Sequence, residues 1–369
     1  VTVSNTSYYF KMNHEIELKL RLNATELPLL EKILNSALFS REPTLKLLNR
    51  YFDTPDSGLS QSGAALRIRQ QNELFDSGEK KHSQIIQTLK TRGTSAAGLH
   101  QRMEWDWSLA EVRLDLDLIK NSDAHQYLSS TCDLETISPL FTTNFLRKVW
   151  MYEQGENSIE LVVDQGHVST EDSNIDLLEL ELELKNGEPK VLFDVAQKIA
   201  NQCPVLMSDI SKAERGYGLL SRSKNYQGIK KDWQGKVPEF DATQDVVTVF
   251  TRYFSYQLSL WQRSLEMAIW DQQSHKETDV KWQLNQLQTL LAIFSSIDAL
   301  AESQKIKQWL QQAAEAEMTA SLIWGQITLA CGRWLYQLNQ QGTIKQAMTA
   351  AEIISMQMYV EQLTKGINS

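Results

Sequence analysis

Polar and apolar residues alternate with a period of two through much of the first 220 or so residues, then recur at helical spacing from about residue 241. The alternating segments are HEIELKLRL (14–22), AALRIRQ (64–70), SQIIQTLK (83–90), RMEWDWSL (102–109), FLRKVWMY (145–152), SIELVVD (158–164) and LLELELELK (177–185). Turn signals lie between them, among them Thr54-Pro55-Asp56-Ser57-Gly58, Gln154-Gly155-Glu156-Asn157 and Asn186-Gly187-Glu188-Pro189. Alternation bounded by such turns predicts antiparallel strands. Helical patches interrupt them at about 25–38, 115–130 and 190–202, which makes the first part an α+β domain. Residues 223–240 are polar, contain Gly228, Gly235 and Pro238, and read as a linker. Residues 241–369 contain no proline, and helices fit 244–272, 278–299, 302–340 with a break near 314, and 345–364. That pattern predicts one four-helix bundle.

The polar faces of the strands are unusually charged. Alternate strand residues share a face, so Glu15, Glu17, Lys19 and Arg21 lie together, opposite Ile16, Leu18 and Leu20. Arg67 and Arg69 pair in the same way, as do Arg102, Glu104 and Asp106. Glu179, Glu181, Glu183 and Lys185 line the last strand. Carboxylates two apart stand ~7 Å from one another along a strand, and their repulsion is large wherever water is excluded. One solution is to close the strands into a barrel with the charged faces inward and the apolar faces under the helices. Such an interior is expected to hold acids and bases in separate clusters.

Composition narrows the chemistry. The chain carries 37 Lys+Arg against 46 Asp+Glu, a net charge of −9. That balance argues against a general nucleic-acid or anionic-membrane partner. The three cysteines form no CxxC, so a disulfide framework or structural zinc is not expected, and a reduced, cytoplasmic setting is. No apolar run reaches the ~18 residues of a membrane span. Residues 1–11 lack a signal-peptide layout and read as an irregular leader. Carboxylates without neighbouring His or Cys select Mg²⁺ or Mn²⁺. Confined Lys and Arg select phosphate. Acids for metal beside bases for phosphoryl oxygens suit phosphoryl transfer. No Walker loop occurs, and the six histidines form no HExxH or triad pattern.

These residues resemble the CYTH superfamily of triphosphate tunnel metalloenzymes. The resemblance rests on the ExExK at Glu15-Ile16-Glu17-Leu18-Lys19 and on ordered companions over about 12–222. These include Tyr51-Phe52-Asp53-Thr54-Pro55-Asp56, Leu66-Arg67-Ile68-Arg69, Thr88-Leu89-Lys90, Phe145-Leu146-Arg147, Asp164-Gln165-Gly166, Glu179-Leu180-Glu181 and Ser211-Lys212-Ala213-Glu214-Arg215-Gly216-Tyr217. The chain looks similar to the bacterial inorganic triphosphatase branch, in which a CHAD helical domain follows the tunnel. The resemblance implies an eight-stranded antiparallel barrel at 12–222 and a CHAD-like bundle at 241–369. It implies metal ligands at Glu15, Glu17, Asp164, Glu179 and Glu181, with Glu183 continuing their face. It implies a triphosphate grip by Lys19, Arg67, Arg69, Lys90, Arg147 and Lys212, with Lys19, Glu181 and Asp164 in catalysis. Arg102 and Glu104 would line the wall, while Tyr51, Asp53 and Pro55 read as turn and packing residues.

The implied reaction is Mg²⁺- or Mn²⁺-dependent hydrolysis of tripolyphosphate to pyrophosphate and phosphate. A thiamine- or nucleoside-triphosphatase on the same fold and a non-catalytic polyphosphate-binding module remain alternatives. The region 241–369 holds 9 Lys+Arg against 12 Asp+Glu and one histidine, His275. It is therefore a degenerate, shortened CHAD-like domain for which polyphosphate binding is not expected. Its tryptophans are expected in the core, and a protein partner or self-association through this region stays open.

Overall fold

A computed structural model describes residues 13–74, 80–91, 93–96, 98–128, 132–222, 236–270, 277–294, 303–317, 319, 321–340 and 346–367. The predicted leader and most of the predicted linker fall outside these residues. The first half contains β1 (Asn13–Arg21), α1 (Leu27–Leu34), β2 (Ser40–Arg41), β3 (Thr44–Asp53), α2 (Gly58–Gln61), β4 (Ala64–Leu74), β5 (Lys80–Thr91), β6 (Thr94–Ala96), β7 (Leu99–Ser108) and α3 (Leu116–Lys120). It continues through β8 (Ser138–Gln154), β9 (Asn157–Ser169), β10 (Asn174–Asn186), α4 (Lys190–Ala200), β11 (Leu206–Met207) and α5 (Lys212–Arg222).

The long strands run antiparallel in the order β1-β10-β9-β8-β3-β4-β5-β7, and β7 returns to pair with β1. The sheet therefore closes on itself as an eight-stranded barrel with no free edge. Its longest hairpin turns at Gly155-Glu156, where Gly155 has φ +61°, the left-handed conformation that a two-residue turn demands.

Alternation sorts the two faces as expected. The apolar residues Leu18, Leu20, Trp150, Leu161, Val163, Leu180 and Leu182 point outward. There they meet Leu30 and Leu34 of α1 and Leu192, Phe193, Ala196 and Ile199 of α4. A second outer cluster joins Leu66, Leu89 and Trp105 to Ile119 of α3. The helical patch expected at 115–130 is only the single turn of α3 followed by a 3-10 turn at Asp123–Tyr127.

The helical half contains α6 (Val246–Trp270), α7 (Glu277–Ile293), α8 (Ser303–Glu315), α9 (Leu322–Gln340) and α10 (Ala350–Ile367). Five helices are thus described where four were expected, because the third divides into α8 and α9. Trp324 lies just past the break and donates its indole N–H back to the Thr319 carbonyl. Trp261, Trp324 and Trp334 are buried in this core, and Trp270, Trp282 and Trp309 pack against it, as the helical spacing suggested.

The two cores interlock. Leu206 of β11 belongs to the helical cluster, and Leu329 of α9 belongs to the cluster outside the barrel. Gly325 makes this approach close: a Cβ there would lie 2.4 Å from the Val205 carbonyl oxygen.

Candidate active site

The inward faces of the strands line a cavity of about 1280 Å³. Lys19, Arg67, Arg69, Lys90, Arg147 and Lys212 all reach it, as do Glu15, Glu17, Arg102, Glu104, Glu181 and Glu183. Two of the acidic positions are set by register. Asp164 stands directly opposite Glu179 across the β9–β10 pair, and Glu179 and Glu181 share a face two residues apart. Asp164 and Glu179 are fully buried, and Glu181 nearly so. One carboxylate oxygen from each of the three lies within 4.8 Å of the others.

Cations occupy the spaces between these acids. Arg147 grips Asp164 with two hydrogen bonds, Nε–Oδ1 at 2.8 Å and Nη2–Oδ2 at 2.7 Å, and reaches Glu181 at 3.1 Å. Lys212 donates to Glu179, approaches Asp164 at 2.6 Å and meets Glu181 at 3.1 Å. Lys19 contacts Glu181 at 3.0 Å and Glu179 at 3.8 Å. Across the lumen Lys90 bridges Glu15 at 2.7 Å and Glu104 at 2.9 Å. Arg102 pairs with Glu17 at 2.8 Å, and Arg67 lies 3.6 Å from Glu104.

Acids and bases are therefore interleaved rather than held in separate clusters. The reason is energetic: an unpaired charge in a confined lumen costs several kcal/mol, roughly, and pairing offsets much of it. The five expected metal ligands also divide. Asp164, Glu179 and Glu181 converge around Lys212, whereas Glu15 and Glu17 stand apart from that trio on the lining, paired with Lys90 and Arg102.

Proton affinities follow the pairing. Burial would raise the Glu181 carboxyl, but Lys212, Lys19 and Arg147 hold it well below the usual range. Asp164 is also lowered, because Arg147 and Lys212 outweigh its burial. Both suit holding a cation better than taking a proton at neutral pH. Glu104 behaves oppositely: burial and then Glu15 raise it against the pull of Lys90 and Arg67. Arg69 is lowered to about 10 by burial and by its neighbours Arg67 and Arg147. Its Nε donates to Asn49 Oδ1 at 2.9 Å, and Asn49 Nδ2 donates to Thr143 at 2.9 Å. A polyanion would relieve the crowding of these three guanidinium groups.

The three-carboxylate cluster fits a hard divalent cation. Its donors are all oxygens, it contains no imidazole or thiolate, and Glu179 Oε2 is buried without a hydrogen bond.

The residues read as turn and packing positions lie beside this site. Asp53 accepts from the backbone N–H groups of Thr54, Leu59 and Ser60 and from the Tyr217 hydroxyl, so it anchors a turn as expected. Tyr51 stacks on Phe141 at 4.7 Å but also lines the cavity beside Arg67. Asp209, Ser259 and Arg263 line the cavity although no motif marked them, and His100, inside the Gly98–Glu104 segment that also resembles the family, joins them.

Burial would raise Asp209, but His100 at 3.4 Å, then Ser259 and Arg263, pull it down to about 2. A carboxyl so lowered stabilises the fold above its ordinary pKa, and that contribution is lost as pH falls through about 2. The Asp209→Asn protein should therefore be about 2 kcal/mol less stable than wild type at neutral pH. In urea titrations the gap should shrink between about pH 4 and pH 2; a gap unchanged over that window would contradict the assignment.

A family model described as the CYTH domain matches residues 13–217. An inorganic triphosphatase of Haemophilus influenzae is 30% identical over 264 residues, which is 70% of this chain and 69% of that protein. Among solved structures, a putative adenylyl cyclase from Hippeastrum, described as having a dominant triphosphatase activity, aligns at 22% identity and a TM-score of 0.41. The alignment covers 55% of this chain and 95% of that one. A Pyrococcus horikoshii protein aligns at 18% identity and a TM-score of 0.38, over 57% of this chain and 99% of its own.

Proposed function

The chain belongs to the CYTH family, and from that premise we propose that it is an inorganic triphosphatase whose divalent-cation-dependent reaction takes place inside the barrel. One observation carries this reading: six cationic side chains face one cavity, and three of them, Lys19, Arg147 and Lys212, contact a converging carboxylate trio of which Glu181 lines that cavity and Asp164 and Glu179 are buried behind it. A site of pure polyanion binding has no use for the buried acids, and a site of pure metal binding has none for the cations.

In the proposed reaction Lys19, Arg67, Arg69, Lys90, Arg147 and Lys212 bind and orient the triphosphate. The arginines offer forked donors to phosphoryl oxygens, and the lysines offer compact charge. Asp164, Glu179 and Glu181 would hold the divalent cation, with Glu15 and Glu17 facing the same lumen. A bound cation there supplies polarisation of a phosphoryl oxygen. Water oxygen forms a bond to the terminal phosphorus, the bridging P–O bond breaks, and phosphate and pyrophosphate leave with one proton released to solvent. Lys19 and Lys212 stand beside the acids and offset negative charge that builds on the leaving oxygens. All of these residues fall within 12–222, which we assign to the tunnel domain, with 241–369 as the helical one.

A phosphate-release panel tests the proposal: tripolyphosphate, ATP, thiamine triphosphate and long polyphosphate, each with Mg²⁺ and with Mn²⁺. Preferred release from tripolyphosphate is expected. Preference for ATP or thiamine triphosphate would move the substrate to an organic triphosphate, and no release from any would favour a binding module.

A further inference from the structure

The helical half supplies a face of α6 to the segment that carries Lys212. Ser259, Arg263 and Glu266 recur at i, i+4 and i+7, so they share one side of the helix. Ser259 donates to Asp209 at 2.7 Å, and Arg263 donates to Glu214. Glu266 does more. It is fully buried, and its Oε1 accepts from Arg21 Nη1 and from Arg215 Nη2, each at 2.9 Å. Its Oε2 accepts from Ser208 at 2.7 Å. One carboxylate thus serves two guanidinium groups.

Those two arginines flank Glu179. Arg21 is the register partner of Glu179 on β1, and Arg215 Nε lies 4.0 Å from Glu179 Oε2. Both of these facing atoms are buried, and neither makes a hydrogen bond. Arg215 is therefore within a small rotation of forming a close pair with Glu179, and its bond to Glu266 holds it back. A Glu179 carboxylate clamped by arginine would lose the negative charge that draws a cation.

We propose that Glu266 is a positioning residue for the Asp164, Glu179 and Glu181 carboxylates: it engages Arg215 and Arg21 so that neither arginine closes on Glu179 and the carboxylate keeps its charge for a divalent cation. The helical half then acts on the cation site through this side chain. This inference rests on the reading of Asp164, Glu179 and Glu181 as the cation site.

The experiment is a Mn²⁺ titration of the full chain without substrate, read by the electron paramagnetic resonance of free Mn²⁺. Wild type should bind saturably. Glu266→Gln should bind about 10- to 100-fold more weakly, the range typical of losing a group that orients a metal ligand. Glu266→Asp, which keeps the charge, should stay near wild type. The double variant Glu266→Gln with Arg215→Met should regain affinity, because the competing arginine is gone; a merely structural loss would not be reversed. Unchanged affinity in a folded Glu266→Gln protein, or no recovery in the double variant, overturns the role of Glu266 alone. Absence of Mn²⁺ binding in wild type overturns the cation site as well. If circular dichroism shows Glu266→Gln unfolded, Arg215→Met is read instead. Affinity equal to or above wild type supports the inference, and weaker affinity overturns it.

Discussion

Replacing Lys19 with methionine should lower kcat for tripolyphosphate by roughly 10²- to 10³-fold, the range for removing one preorganised group that stabilises developing charge. Lys19 is 3% exposed and touches both Glu179 and Glu181; Lys212 touches the same two acids but is already shared with Asp164. The same substitution leaves two buried carboxylates with less compensation. Breaking a buried pair costs about 3–5 kcal/mol when the remaining charge is left alone; here Lys212 still reaches both acids and Arg147 still reaches Glu181, and the loss should be smaller. Mg²⁺ or Mn²⁺ should recover much of that stability in thermal melts while leaving the activity lost. A Lys19→Met protein that hydrolyses at the wild-type rate would sink the assignment.

Chelation should have the other large effect. In the structure the acids hold the very cations that a triphosphate needs: Asp164 and Glu181 take Arg147, and Asp164, Glu179 and Glu181 share Lys212. A divalent ion on the carboxylates frees the bases for phosphate. EDTA should therefore reduce phosphate release by more than about 10²-fold, and phosphate binding should weaken in the same samples. Restoring Mg²⁺ or Mn²⁺ should return activity to the wild type but not to Glu181→Gln, whose amide is a poorer ligand and a poorer partner for three cations. Activity in EDTA equal to that in Mg²⁺ would remove the metal from the mechanism.

Much of the barrel was legible because period two is a strong signal. Glu15, Glu17 and Lys19 announce both a strand and its charged face, and Glu179 and Glu181 repeat the message. β3 escaped because Leu47 and Leu48 are adjacent and Asn49 is buried, so alternation blurs just where the strand crosses the lumen. The converging carboxylate trio was anticipated as residues but not as a place. Asp164 meets Glu179 through strand register, which one sequence does not encode visibly. Interleaving of acids with bases was missed for a related reason: pairing depends on distances across the lumen, not along any strand. The bond from Glu266 to Arg215 spans 51 positions and joins two halves that differ in character. No local pattern could signal it.

The exchanged core residues give the junction a thermodynamic meaning. Leu206 sits among the helices and Leu329 lies against the outer wall of the barrel, with Gly325 letting the α9 backbone meet Val205. Unfolding either half would bare the other's apolar surface to water, so the halves share cooperativity rather than merely a chain. Damage to a remote helix then carries an enzymatic cost without altering any group that faces the substrate. For the same reason, residues 13–222 expressed alone would keep a closed barrel but bare the apolar outer wall that α9 covers, a surface that favours aggregation.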